Sequence, residues 1–294
     1  MKRKLHTLLL NNSIFLSTVL FKIILSIVVF ISLSTKASAH GDLTKQIAIK
    51  THQISESPNN FKLYYERGLL YQQHVEYPKA MEDYLKSKSL GNTDNALQYR
   101  ISELNYLSED YPIALQNITS YLDITPTDVK AKKLEAQILF HLKSYQKSLS
   151  AYKYVMEHMV DLRPEDILEY TDIILAENNE NYKVALEVIE LGLKKLGSNT
   201  LALQLKKLDY LKADHQIEEA LKQYDYFILE YKRKEFWYYK KANYLAQLDR
   251  SNEANIALKQ AKIAIDQLDN KFKKMKSITE LEVKIQDLEN TINN

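Results

Sequence analysis

Histidines and paired carboxylates are the side chains of this sequence that could carry out metal or acid–base chemistry. No histidine beyond residue 39 has a second one four residues away, the spacing that places two metal ligands on one helical face. These histidines are His40, His52, His74, His141, His158 and His215. Acidic pairs such as Glu82-Asp83 lie in highly charged stretches, where solvated helix faces are expected. Neither H-E-x-x-H nor G-x-S-x-G occurs, and no glycine-rich nucleotide loop is present. We predict a protein that is not an enzyme and has no cofactor.

His40 differs from the other histidines, because it would become the first residue of a chain processed after Ala39. A terminal amine and its own imidazole can chelate a metal together, and Asp42 adds a carboxylate nearby. This possibility defines the alternative function, a metal-handling or enzymatic protein that uses an N-terminal His40. The main prediction assigns no metal site.

Residues 1–39 are predicted to form a secretory signal peptide. They contain five basic residues and no acid, then an apolar run over 23–33, and then Ala37-Ser38-Ala39, which suits signal peptidase. The apolar run is shorter than the roughly 20 residues that span a bilayer. We therefore expect cleavage and export to the periplasm or the medium. The alternative is an uncleaved anchor in the inner membrane, which would be the chain's only membrane contact.

The composition of the chain beyond residue 39 limits the classes of function that it can have. Without the first 39 residues it has 35 basic and 38 acidic side chains, so it lacks the bulk positive charge of nucleic-acid-binding proteins. Bases and aromatics alternate over 231–241, as in single-strand platforms, but this stretch coincides with a repeat helix whose aromatics are expected to pack. The absence of cysteine excludes disulfides and thiolate metal sites. Only five glycines and five prolines favour helices.

Small and aromatic residues recur with a period near 34. Tyr77, Tyr111 and Tyr145 are each 34 residues apart. A column of small residues follows the tyrosines and continues along the chain as Ala80, Ala114, Ser148, Ala185, Ala220 and Ala254. A second column consists of Gly68, Ser102, Ala136 and Ala242. Two antiparallel helices approach closely where side chains are small, so the pattern predicts a series of helical hairpins.

The pattern resembles the tetratricopeptide repeat. In the first repeat, the family's aromatic and small positions are matched by Tyr64, Gly68, Tyr71, Tyr77, Ala80 and Tyr84. The resemblance implies an all-α fold, a right-handed α-solenoid of about six helix-turn-helix repeats with a capping helix at each end. It also implies that the first helix of each repeat lines a concave face.

We predict four segments along the chain. They are the signal peptide 1–39, an N-terminal capping helix and linker 40–60, the repeats 61–268, and a C-terminal capping helix 269–294. The repeats are 61–94, 95–128, 129–162, 166–199, 201–234 and 235–268. Ile173 and Leu208 stand where small residues are expected in the fourth and fifth repeats, so these hairpins are expected to splay or to follow a shifted register.

The flanking helices are expected to cover the ends of the array. Asp42 is predicted to N-cap the first one, which carries Leu43, Ile47 and Ile54. At the other end, an apolar stripe consists of Ile278, Leu281, Ile285, Leu288 and Ile292. We favour packing of this stripe on the last hairpin over a dimerising coiled coil, which two heptads barely support, and we predict a monomer.

The resemblance implies that positions 2, 5, 9, 12 and 13 of each repeat face a peptide-binding groove. The predicted groove residues are Tyr65, Tyr99, Arg100, Glu103, Tyr106, Lys133, Gln137, Phe140 and Tyr170. Rigid aromatics with a few charges suit an extended or helical peptide. We expect these tyrosines to lie outside the hairpin interior, so that replacing Tyr99 or Tyr106 weakens binding but barely affects folding. The basic clamp that some family members use for a peptide C terminus is not matched in the first repeat.

The predicted function is a non-catalytic, exported scaffold that binds a protein or peptide partner in this groove. Nucleic acid is not an expected partner.

Overall fold

A computed structural model describes residues 41–293 of the chain. Every regular element in this range is an α-helix. The helices are α1 (41–56), α2 (Phe61–Gln73), α3 (Tyr77–Ser89), α4 (Asn95–Leu107), α5 (Tyr111–Ile124), α6 (Val129–His141), α7 (Tyr145–His158), α8 (Pro164–Glu177), α9 (Tyr182–Leu196), α10 (Leu201–Ala213), α11 (Ile217–Glu230), α12 (Lys234–Gln247), α13 (Ser251–Asp266), α14 (Asn270–Lys273) and α15 (Lys276–Asn293). None of the helices in 41–293 is long and apolar enough to cross a membrane. The predicted signal peptide and His40 lie outside the described residues.

The described chain divides into two compact units. The first ends at Lys143 and contains α1–α6, and the second begins at Ser144 and contains α7–α15. The division falls inside the third predicted repeat, between its two helices. In the first unit α2 packs on α3 and α4 on α5, whereas in the second α8 packs on α9 and α12 on α13.

The small residues of the two columns lie where paired helices meet. Ala80, Ala114, Ala185, Ala220 and Ala254 are all fully buried. Ser102 is also fully buried, and its hydroxyl donates to the carbonyl of Ala114 over 2.8 Å, which satisfies the polar group between α4 and α5. The all-helical hairpin architecture predicted from the repeat is therefore confirmed.

Five turns between helices contain a left-handed residue that is not glycine. These residues follow the preceding helix at Val75 (63°), Glu109 (62°), Lys143 (57°), His215 (56°) and Asp249 (57°). At all of them except Lys143, the next amide donates back to a carbonyl five residues earlier, as Glu76 N does to Tyr71 O over 2.9 Å. This bond satisfies a carbonyl that the helix end leaves unpaired and fixes the turn into the second helix.

The fourth repeat differs in register from the sequence-based boundaries. Helix α8 begins at Pro164, two residues before the predicted start at 166, because the buried Asp166 carboxylate accepts from the amide of Arg163 over 2.8 Å. Ile173 and Leu208 are buried, although small residues were expected at their positions. A close approach occurs instead at Gly192 of α9, where a Cβ would lie 3.0 Å from Ile167 and Leu203 side-chain atoms.

The first helix, α1, differs from the sequence-based prediction at Asp42. The prediction that Asp42 N-caps the first helix is wrong, because residues 41–56 are all helical and Asp42 lies inside the helix. Its carboxylate accepts from the Gln46 amide one turn later, over 2.9 Å. Helix α1 is held to the first hairpin by Arg67, which donates to Thr51 and, through two bonds of 2.8 and 2.7 Å, to the buried Asp83.

The apolar stripe of α15 packs inside its own unit. Ile278, Leu281 and Ile285 are at most 3% exposed and join a core cluster with residues of α12 and α13. Leu288 and Ile292 pack against the edge of the same cluster. The stripe therefore packs on the last hairpin.

Candidate functional site

A chain of hydrogen bonds joins α2, α3 and α4 in the first unit. The hydroxyl of buried Tyr84 donates to Gln72 Oε1 over 2.7 Å. Gln72 Nε2 donates to Glu103 over 2.6 Å, and Arg100 donates to the same carboxylate oxygen over 2.9 Å. Gln72 occupies position 12 of its repeat and Glu103 position 9, so predicted facing positions of two successive repeats are directly bonded.

The charge of Arg100 is held in place by this network. Burial acts to lower the pKa of Arg100, but the hydrogen bond and negative charge of Glu103 outweigh it, and the pKa is raised. The guanidinium also lies 5.4 Å from the centre of the Tyr99 ring, at cation–π distance. Arg100 is therefore an ordered, permanently charged donor with part of its surface still accessible to a partner.

Two cavities lie along α2. The smaller, of about 280 Å³, is lined by Leu69, Gln72, Gln73, Tyr77, Arg100 and Leu107. The larger, of about 500 Å³, is lined by Phe61, Lys62, Tyr65, Glu66 and the loop residues 92–94. Tyr65 and Arg100 thus belong to the cavity walls. We call the surface formed by Tyr65, Leu69, Gln72, Arg100, Glu103 and Leu107 the α2–α4 surface.

Tyr99 and Tyr106 pack more deeply than the sequence suggests. Both rings contact a buried cluster of α5 and α6 residues that includes Ile118, Leu134 and Ile138. The Tyr99 ring centre lies 5.5 Å from that of Tyr121, and burial raises the pKa of Tyr99 to about 12. Each of the two rings therefore fills space between the second hairpin and α6.

An aromatic cluster forms around His141 at the end of α6. His141 stacks on Tyr111 with ring centres 4.4 Å apart, and Tyr106 meets it edge-on at 5.7 Å. Phe140 also meets His141 edge-on, with ring centres 5.7 Å apart. The structure thus groups Tyr106 and Phe140 through His141, a residue that the predicted groove borders but does not include.

The remaining predicted groove residues are distributed over both units. Lys133 and Gln137 are partly exposed on α6 of the first unit. Tyr170 belongs to α8 of the second unit, where it is partly exposed and stacks on Tyr152 with ring centres 5.6 Å apart. Tyr65 packs at the edge of the cluster around Tyr84, 5.8 Å between ring centres.

Leu107, Gln73 and Tyr77 line the smaller cavity but were not among the predicted groove residues. Leu107 and Gln73 occupy position 13, which the repeat resemblance already implies to face the groove, so the signal was present. For Tyr77, the repeat pattern predicts only a packing role. The contribution of the loop 92–94 to the larger cavity has no sequence signal, because it depends on how α3 turns into α4.

Within 41–293, no three histidine, aspartate or glutamate side chains are placed to hold a metal ion together.

Comparison with known proteins identifies the fold. No protein-family model matches the chain, and no curated protein matches it in sequence. A tetratricopeptide repeat protein from Parabacteroides merdae has a similar structure, with a TM-score of 0.52 and 13% identity over 86% of this chain and 93% of that chain. The structure of Naa15/Naa10 bound to HypK-THB aligns with a TM-score of 0.52 and 17% identity over 79% of this chain. This chain spans 36% of the length of that one.

These observations place the chain among all-α proteins built from successive helical hairpins. The particular hairpin is that of the tetratricopeptide repeat, and the described residues have the tetratricopeptide-repeat fold. The resemblance seen in the sequence is confirmed at the level of the fold.

Proposed function

We propose that this protein is a non-catalytic scaffold that binds a protein or peptide partner on the α2–α4 surface. The observation that carries the proposal is the smaller cavity, where Leu69 and Leu107 stand beside the ordered guanidinium of Arg100. Its volume of about 280 Å³ is at the lower limit of small-molecule sites, which run from about 300 to 1,000 Å³. It fits one bulky side chain of a partner better than a whole cofactor.

The lining chemistry indicates how a partner would be held. An apolar side chain would bury Leu107, which is 44% exposed in the free protein, and this burial supplies affinity. Gln73 offers an amide that can pair with a peptide backbone next to the cavity. Arg100 would fix the register of a neighbouring acceptor through its charge. Naa15/Naa10, which has a similar fold, is bound to HypK-THB in its solved structure. This similarity supports a protein partner.

Export from a bacterial cytoplasm is part of the proposal and rests on the sequence of residues 1–39 alone. The mass of the chain recovered from the producing cell decides between cleavage after Ala39 and an uncleaved anchor. A mature chain that begins at His40 supports export, whereas a chain that retains residues 1–39 in the cytosol contradicts it.

Site-specific photo-crosslinking tests the binding surface. A photoreactive phenylalanine derivative is placed at Leu107 in one variant and at Leu85 in another. Both leucines are exposed, 44% and 51%, but Leu85 lies on α3 and lines neither cavity. We expect irradiation of producing cells to give one discrete protein adduct at Leu107.

Crosslinking at the control position Leu85 shows whether the adduct at Leu107 is specific to the α2–α4 surface. Adducts at Leu85 in equal yield, or at Leu85 alone, would contradict binding on the α2–α4 surface. An added L69E substitution, which places a charge in the cavity wall, is expected to abolish the adduct at Leu107.

A further inference from the structure

Two basic segments meet at the C-terminal end of the second unit. One is Lys232–Lys234 at the start of α12, and the other is Lys271–Lys276 around α14. The guanidinium carbon of Arg233 lies 5.6 Å from the ring centre of Phe272, so the two segments are in direct contact. Arg233 also lies 5.2 Å from the ring centre of Phe236 on its own helix. We call the two segments together the basic end.

Positive charge dominates the basic end. It contains seven basic residues, and the acids within 232–235 and 269–280 are only Glu235, Asp269 and Glu280. Glu235 is 1% exposed and accepts a hydrogen bond from Arg233, so its negative charge is paired inside the protein and does not reach the surface. The Glu280 carboxylate lies 3.5 Å from the ammonium group of Lys276, which is 89% exposed. An excess of four positive charges remains.

Four of the six lysines of the basic end are left available to a partner. Lys232, Lys234, Lys271 and Lys274 are exposed, and none of them forms a salt bridge within the described part of the chain. Met275 stands among them with 43% of its surface exposed. The surface therefore combines point charges with one exposed apolar side chain.

We propose that the basic end binds anionic lipid headgroups at a bilayer surface. Lysines near such a surface are attracted by its negative potential, and an apolar side chain among them can enter the headgroup region. Six of the seven bases are lysines, which are compact point charges suited to a diffuse anionic surface. The single arginine, Arg233, could form two parallel hydrogen bonds with a carboxylate. Its guanidinium already donates to Glu235 and lies near two phenylalanine rings.

Nucleic acid fits this surface less well. Single-strand binding relies on aromatic rings that stand free to stack on bases. Trp237 instead stacks on Phe227 with ring centres 4.0 Å apart, and Phe236 packs against the core cluster of the unit. The proposal departs from the sequence-based expectation that membrane contact is confined to the N-terminal segment.

A fluorescent label at residue 275 tests the proposal on the full chain. Since the sequence has no cysteine, the substitution M275C provides a single attachment point for an environment-sensitive dye. A label at V160C, where Val160 is 99% exposed on the loop between α7 and α8, serves as the position control. The probes are vesicles of phosphatidylcholine alone and of equimolar phosphatidylcholine and phosphatidylglycerol.

We expect the dye at 275 to shift to shorter wavelength with phosphatidylglycerol vesicles only, and the dye at 160 to remain unchanged. Because the readout is local, it reports contact of the basic end even if residues 1–39 also bind the vesicle. No shift at 275, or equal shifts with both vesicles, would overturn the proposal. A shift caused by a single-stranded oligonucleotide or an acidic peptide but not by vesicles would overturn it as well.

A charge-matched pair of variants completes the test. The patch variant K232Q/K234Q/K271Q/K274Q removes four exposed lysines, and the control K153Q/K183Q/K194Q/K259Q removes four exposed lysines elsewhere on the same unit. Each lysine near an anionic bilayer strengthens binding about fivefold, so the patch variant is expected to lose about a hundredfold or more in apparent affinity. The control should retain the shift at 275, and an equal loss in both variants would contradict a specific surface.

Discussion

Gly68 of α2 faces the ring of Tyr84 of α3 so closely that a Cβ at Gly68 would lie 2.6 Å from Tyr84 Cε1. The ring has little freedom to withdraw, because Tyr84 is fully buried and its hydroxyl is bonded to Gln72. The same contact therefore sets the distance between the helices of the first hairpin and supports the network that orders Arg100.

The substitution G68A is expected to lower the free energy of unfolding by about 1–3 kcal/mol through overpacking. Thermal denaturation followed by circular dichroism measures the loss. Gly41 is the matched control, because a Cβ there meets no atom within 4 Å. G41A should melt at the wild-type temperature or slightly above it, and an equally stable G68A would show that the hairpin can open at no cost.

Replacing Tyr99 is expected to reduce stability as well as binding. Its ring packs between α4 and the cluster on α5 and α6, so Y99A should cost about 1–3 kcal/mol of unfolding free energy. Y99F keeps the packing and should melt like the wild type. If Y99A melts unchanged, the ring contributes no packing energy between these hairpins.

Repeat spacing predicted the fold because two constraints, small residues in columns and aromatics between them, recur often enough to define hairpins. The spacing could not predict which tyrosines face the groove and which pack against neighbouring helices. Position 5 of a repeat lies between the groove and the packed interior, and its role depends on the surrounding helices. Tyr99, for example, packs against Tyr121 of α5 in its own hairpin and against the cluster that includes α6 residues.

The C-terminal helix is expected to stabilise the second unit through its buried stripe. I285E would place an unpaired charge at a position that is 1% exposed, and should lower the free energy of unfolding by about 3 kcal/mol or more. V283E makes the same chemical change two residues away, where Val283 is 60% exposed, and should have little effect. Chemical denaturation distinguishes the two, and equal stability of both variants would refute packing of α15 on the last hairpin.

Alkaline pH should destabilise the protein through its buried tyrosines. Burial raises the pKa of Tyr99 and Tyr224 to about 12, above the value near 10 of an exposed tyrosine. Between pH 10 and 12 the unfolded chain loses these protons while the folded chain keeps them. The contribution of these tyrosines to stability is therefore fully present below pH 10 and is lost as pH rises through this window.

The melting temperature measured across that window tests the assignment. Y224F has no hydroxyl to ionise at this position, and its melting temperature should fall less steeply than that of the wild type. Parallel curves for the two proteins would contradict a buried, neutral Tyr224.

The α2–α4 surface was only partly predictable from the sequence. Tyr65 and Glu103 occupy groove positions of their repeats, and Arg100 lies next to one of them. The cavity beside Leu107 instead arises from how α2, α4 and the Tyr77 turn come together. The register of α8 was also missed, since the bond between Arg163 and the Asp166 carboxylate, not the repeat period, determines where that helix starts.

Partner binding by a matched pair of leucine variants tests whether the α2–α4 surface is the binding site. The partner crosslinked at Leu107 is purified and titrated against L107E and L85E, which make the same change at two exposed leucines, with melting curves recorded for both. We expect L107E to weaken binding about tenfold or more and L85E to bind like the wild type, while both variants melt alike. Unchanged affinity of L107E, or an equal loss in L85E, would contradict binding on the α2–α4 surface.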